Sequence, residues 1–214
     1  MKKRFLSVLG CLLCIGGMQA QTLKEIFVHM PDTLSPILTP VNRADCVDFI
    51  ASNMKARVTN RFNRTSEVKT LTDDYLLAQV TESSVWEMRR LPLNDSVSVV
   101  CWVKTVKGPV EDSSLRFYST DWKELPVSDF LPQRPGPDDF FLQPSAEKAD
   151  SLNELRRKAD ITFLKASLSP KENTLSFTYT TPDYMNADDR QQIIPYIRKS
   201  VVYEWKDGKF VRKD

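Results

Sequence analysis

The chain has 214 residues, 41% hydrophobic and 27% charged, with Lys+Arg 30 set against Asp+Glu 28. This near-neutral balance, with the signs interspersed, excludes a nucleic-acid binder by net charge, and no Lys/Arg cluster marks a membrane-surface helix. Ten per cent aromatic residues and only six glycines read as an ordered chain with a core rather than a disordered one.

Residues 1–20 have the three-part order of a secretory leader. Lys2, Lys3 and Arg4 form a positive start, Phe5 to Gly17 is almost wholly apolar, and Met18-Gln19-Ala20 offers a small residue at the cut. The apolar run is too short to span a bilayer, and no stop-transfer segment follows it. Cleavage between Ala20 and Gln21 is therefore expected, with a periplasmic or secreted destination and no transmembrane segment. The leader carries three basic residues and no acid, so the remainder holds 27 basic against 28 acidic residues. Val8-Leu9-Gly10-Cys11 is a poor lipobox, so no lipid anchor is expected. Cys46 and Cys101 remain after the cut. An oxidising compartment allows them one disulfide, but both lie in apolar settings that favour two separate core thiols.

Thr22 and Glu25 have capping-box spacing, and Leu23, Ile26, Phe27 and Met30 fall on one face of a first helix that Pro31 stops. Pro36 and Pro40 make the next stretch irregular. Asn42 is the expected cap of a second helix, with Cys46, Val47, Ile50 and Met54 inward and Asp45 and Asp48 outward. From Lys55 the period becomes two, and Ala56, Val58 and Phe62 alternate with polar residues as in a half-wet strand. Tyr75–Thr81 and Val85–Leu91 form a hairpin across Glu82-Ser83-Ser84. Val97 to Val106 is the strongest strand. Val97, Val99, Cys101 and Val103 lie on one side and Val100, Trp102 and Val106 on the other, so both faces are covered. Leu115 to Ser119 follows.

Five prolines between Pro126 and Pro144 exclude a central strand or long helix. This segment reads as a surface crossover pinned by Phe140 and Phe141. Beyond it, Ser145 caps a helix with Ala146, Ala149, Leu152, Leu155 and Ala159 buried. Ile161–Leu168 and Thr174–Thr180 form a hairpin, Asn186 caps a short helix carrying Ile193 and Ile194, and Val201–Lys206 and Lys209–Arg212 flank an Asp207-Gly208 turn. The expected fold is α+β: one unit over 21–214, with an antiparallel sheet and helices packed on one side. Its parts 21–125 and 145–214 each read as helices followed by strands, joined by the crossover 126–144.

Little chemistry stands out. His29 is the only histidine and sits where the first helix ends, a place for capping carbonyls rather than for a general base. No nucleophile elbow accompanies it. One histidine and two distant cysteines match no zinc spacing, no calcium loop is present, and no glycine-rich loop could cradle a phosphate. No catalytic residue, metal or cofactor is therefore assigned. Trp86, Trp102, Trp122 and Trp205 lie in or near strands, where packing explains them. As interaction candidates we take the aromatics expected in turns just past a strand, Trp122 and Tyr184.

Leu23 to Asp32, Leu71-Thr72-Asp73-Asp74-Tyr75-Leu76 and Phe177-Thr178-Tyr179-Thr180-Thr181-Pro182 resemble blocks of a family of secreted proteins from Gram-negative gut anaerobes, a domain of unknown function. The resemblance spans the chain beyond the leader. It implies an envelope or exterior location with Gln21 as first residue, and it carries no site residue. The expected role is non-catalytic binding of an envelope protein, glycan or apolar ligand. A carboxylate-based, glycan-acting envelope hydrolase is the alternative.

Overall fold

Two helices open the part of the chain that the structure, a computed structural model, describes: residues 21–213. The leader and Ala20 lie outside the described residues. Helix α1 (Leu23–Val28) has the capping box read from its sequence, with the Glu25 amide donating to Thr22 and the Glu25 carboxylate accepting from the Thr22 amide at 2.8 Å. At its other end the His29 ring Nδ1 donates to the Glu25 carbonyl at 2.8 Å.

Helix α2 (Pro40–Ala51) starts earlier than Asn42 alone would suggest. Thr39 is the cap, Pro40 takes the first helical position where its missing N–H costs nothing, and Asn42 is the reciprocal partner that accepts from the Thr39 amide. The helix ends before Met54, and Asn53 turns the chain at φ 55°. Met54 is thereby exposed rather than inward.

Seven strands follow in an antiparallel meander: β1 (Ala56–Thr59), β2 (Thr65–Leu71), β3 (Tyr75–Thr81), β4 (Ser84–Pro92), β5 (Ser98–Lys107), β6 (Glu111–Ser119) and the short β7 (Glu124–Leu125). The first strand stops short of Phe62. The buried Asn60 side chain accepts from the Phe62 and Arg64 amides and pulls the chain into a turn that leaves Phe62 exposed. Strand β2 has no clean alternation in sequence, because a bulge between Val68 and Thr70 leaves Lys69 as an extra residue. Strand β5 carries Val100 and Trp102 into one core and Val99, Cys101 and Val103 into another. It is covered on both faces as expected, except that Val97 and Val106 at its ends are exposed.

The crossover contains only a four-residue helix α3 (Val127–Phe130) and a 3-10 turn at Pro137–Phe140. Phe140 is fully buried and Phe141 is half-buried against Tyr179. The Arg198 amide donates to the Phe140 carbonyl, so backbone bonds reinforce the aromatic pinning. Helix α4 (Ala149–Lys158) then buries Leu152 and Leu155 against Ile193 of helix α5 (Ala187–Ile193). Ser145 precedes a 3-10 turn but makes no side-chain cap, and Ile194, Ala146 and Ile161 are exposed rather than buried.

A second antiparallel sheet closes the fold: β8 (Leu164–Leu168), β9 (Thr174–Tyr179), β10 (Val201–Lys206) and β11 (Lys209–Lys213), in the order β11-β10-β9-β8. The architecture is α+β. Helices α1 and α2 cover one face of the large sheet, while the second sheet covers part of its other face. Tyr75, Leu91, Val99, Cys101, Val103 and Phe117 of the large sheet pack there against Leu164, Ala166, Leu175, Phe177 and Tyr203.

The join between the sheets is made by side chains. Strand β8 is an edge strand, and its outward amides at Leu164, Ala166 and Leu168 would be unpaired. They donate to Asp112 Oδ1 (3.0 Å), Ser113 Oγ (3.0 Å) and Glu87 Oε2 (2.8 Å) of the large sheet. Thr180 Oγ1 returns a bond to the Glu111 carbonyl at 2.6 Å, and Arg89 donates to Asn173 Oδ1 and to the Ser169 carbonyl. An exposed edge is a template for pairing with another chain, and this one is closed without a backbone ladder.

Candidate functional site

The two aromatic interaction candidates have opposite fates. Trp122 is only 7% exposed. Its backbone adopts φ 62°, which swings the ring under α1, and its Nε1 donates to the Ile26 carbonyl at 2.9 Å. There it joins Trp86, Trp102 and Tyr118 in the helix-side core. The expectation of an exposed Trp122 is therefore corrected: a left-handed turn residue points back into the fold.

Tyr184 is 51% exposed at the end of the 3-10 turn Thr181–Tyr184. Pro182 starts that turn, and Asn186 stops it by capping α5 through the Asp189 amide. The ring meets Phe163 edge-on, with centroids 5.6 Å apart, and this contact limits its rotation. It lines an open cleft of about 340 Å³ together with Ile161, Met185, Asp160, Asn186 and Thr181. At the rim, Lys158 Nζ is 2.8 Å from Asp189 Oδ1. An apolar floor beside carboxylate, amide and ammonium groups suits an amphipathic ligand.

A second, smaller cleft of about 200 Å³ opens where β8 crosses the large sheet. Lys69 from β2, Gln79 from β3, Glu87 from β4, Thr105 and Lys107 from β5, Glu111 from β6, and Lys165 and Ser167 from β8 line it. Glu87 is 8% exposed, and its Oε2 accepts from the Leu168 amide and from the Tyr75 hydroxyl at 3.3 Å. Burial raises its carboxyl above the ordinary range, against the opposing pull of those bonds and of Lys165. Burial likewise raises the Tyr75 hydroxyl, with the Glu87 charge adding to it. Glu111 Oε2 lies 2.5 Å from Lys165 Nζ.

This cleft was missed from sequence. In Trp86-Glu87-Met88-Arg89 the acid and the arginine alternate with apolar residues, yet both are buried beneath β8 and the turn after it.

The remaining groups have structural surroundings. His29 is exposed and holds its helix end. Cys46 lies in the helix-side core and Cys101 in the inter-sheet core, with the large sheet between them, and both are free thiols. Burial raises Cys46 to about 11 and holds Cys101 well above the usual thiol range. Among the described residues no group of His, Cys, Asp and Glu is placed to hold a metal ion. Also among them, no helix is long and apolar enough to cross a membrane.

Comparison with known proteins places this geometry in a family. The family described as "Protein of unknown function (DUF3256)" matches residues 15–210. A solved structure, "Structure of a domain of an uncharacterized protein from Porphyromonas gingivalis W83", is similar at 28% identity and a TM-score of 0.79. The match covers 91% of this chain and 100% of that one. No curated protein matches the chain.

Proposed function

The chain belongs to the DUF3256 family, and from that premise we propose that it is a non-catalytic binding protein of the cell envelope or exterior. The leader-like order of residues 1–20, with a cut between Ala20 and Gln21, supports the location. The observation that carries the binding role is Tyr184, a half-exposed ring steadied by Phe163 in an open cleft. Orienting an aromatic in advance lowers the entropy lost on binding, and its face suits the apolar side of a sugar ring or a small apolar group. Asp160 stands beside it to meet hydroxyls. Of an envelope protein, a glycan and an apolar ligand, a glycan suits this mixed lining best.

The hydrolase alternative draws on Glu87 and Glu111, which line one cleft. Both are already engaged, Glu87 as acceptor for an amide and a hydroxyl and Glu111 in an ion pair. These bonds orient both carboxyls toward protein groups rather than toward a substrate, so binding is the better reading. The test is a screen of the purified protein against envelope glycans, peptidoglycan fragments and lipids, repeated with Tyr184→Ala. Binding that Tyr184→Ala weakens supports the proposal. Turnover of any glycan that Glu87→Gln or His29→Ala abolishes would overturn the non-catalytic reading, and binding unchanged in Tyr184→Ala would displace the site.

A further inference from the structure

The inter-sheet cleft carries its own inference, independent of Tyr184. Three lysines from three strands converge on it: Lys69, Lys107 and Lys165. Lys165 is balanced by Glu111. Among the described residues, neither Lys69 nor Lys107 forms an ion pair. The lining holds three lysines against two acids, Glu87 and Glu111, so positive charge is in excess around a small concavity even with both acids ionised. A concave surface with low-dielectric walls focuses such a field more strongly than the same charges spread over a flat face.

The backbone supports the same reading. Lys69 is the extra residue of a bulge, between the Val68–Ala78 and Thr70–Leu77 pairs of β2 and β3. A second irregularity follows on β3 between Gln79 and Thr81. Bulges re-aim side chains and gather next to binding sites. Here the first of them places Lys69 on the lining of the cleft. Lys107 ends β5 opposite Glu111, and its amide donates to the Ser83 carbonyl at 2.7 Å, so the strand end that presents it is held in place. The cleft floor is built as well: Thr105 is buried and hydrogen-bonded to Ser113 at 2.8 Å.

We propose that this cleft is a binding site for a small oxyanion, a carboxylate or phosphate group, held between Lys69 and Lys107 over the Glu87–Thr105 floor. Its volume of about 200 Å³ falls below the roughly 300 Å³ at which pockets for drug-sized ligands begin. The occupant is therefore a small molecule or the terminal group of a larger one. Lysines hold such a group as point charges, so affinity falls as salt rises.

The test is calorimetric titration of the purified protein with two probes, inorganic phosphate and succinate, at low salt. Lys69→Met, Lys107→Met and the exposed Lys171→Met in the β8–β9 turn serve as variants, with circular dichroism to establish folding. Saturable binding of either probe is expected, and the stronger probe identifies the group as phosphate or carboxylate. Each of Lys69→Met and Lys107→Met should weaken it about tenfold, the loss of one charge-assisted contact. Lys171→Met and Tyr184→Ala should leave it unchanged. No saturable binding of either probe, full binding in a folded Lys69→Met, Lys107→Met double variant, or an equal loss in Lys171→Met would overturn the site. The glycan proposal at Tyr184 would be untouched by any of these.

Discussion

Arg43 offers the sharpest test of how the fold is held together, because a charged side chain that is only 1% exposed is unusual and its partners are all identified. Its guanidinium donates to the carbonyls of Met30 at 2.5 Å, Leu38 at 2.7 Å and Val28 at 3.4 Å, and to Asp32 Oδ1 at 3.4 Å. These carbonyls belong to the end of α1 and to the loop leading to α2. One planar fork thus gathers three segments that no backbone ladder joins. Desolvation lowers the guanidinium's pKa, and Asp32, half exposed and shared with Arg61, offsets part of that. Truncation in Arg43→Ala would strip the Met30 and Val28 carbonyls of their donor, each worth about 1–3 kcal/mol if left dry, and leave the Leu38 carbonyl only the Ser35 hydroxyl. Water entering the vacated space would recover part of this, so the expected net loss is about 3–5 kcal/mol, as for other broken buried charges. With a urea slope of about 2–3 kcal/mol/M, the denaturation midpoint should fall by roughly 1–2 M. Arg43→Met keeps the packing of the stem and should lose somewhat less. Arg61→Ala, which removes only the exposed partner of Asp32, should cost about 1 kcal/mol or less. If Arg43→Ala costs no more than Arg61→Ala, the carbonyls are satisfied by water and the reasoning fails.

Glu87→Gln should stabilise the protein at neutral pH. The folded carboxyl titrates above its ordinary value, so its contribution is full below the unfolded pKa and is lost as pH rises through the folded one. Gln keeps an acceptor for the Leu168 amide and the Tyr75 hydroxyl, and a wild type more stable than Glu87→Gln at about pH 7 would refute this. Both thiols should resist alkylation in the native protein and react in denaturant without reductant, since the sheet separates Cys46 from Cys101. A requirement for reductant would reveal a disulfide. Trp122→Phe should cost about 1–3 kcal/mol, because the Ile26 carbonyl loses its indole donor. A midpoint equal to wild type would mean the turn holds itself.

The legible parts of the fold were those where period and turn agreed. The β3–β4 and β8–β9 hairpins and the Asp207-Gly208 turn lie where alternation is interrupted by a short polar run, and β5 alternates two apolar sets between two cores. Strand β2 escaped because Thr-Ser-Glu-Val-Lys-Thr-Leu has few apolar residues and a bulge that breaks the alternation at Lys69. Trp122 misled because a turn position implies exposure only when φ is ordinary. Tyr184 does lie exposed in a turn just past β9, where Pro182 and Asn186 bound the turn with local signals. The inter-sheet cleft was hidden for a different reason: Glu87 and Lys165 are 78 positions apart, and nothing local to either records that β8 will cross β4.

That crossing also explains why the strands form two sheets rather than one continuous meander. Beyond β7, the outer edge of β6 faces the outer edge of β8, and a backbone ladder between them would merge the sheets. Asp112 and Ser113 instead fill the gap and take two of the β8 amides, while Glu87 reaches over from β4 to take the third. A side-chain join holds the strands farther apart than a ladder, whose strands sit about 4.8 Å from one another. The space so created at one end of the join is the lysine-lined cleft. Glu87 therefore has two roles in one position: it closes the edge of the second sheet and forms the floor of the cleft. An anion settling between Lys69 and Lys107 would favour the neutral form of Glu87, the form burial already favours. If the cleft takes an anion, its occupancy and the join between the sheets meet at this one buried carboxyl.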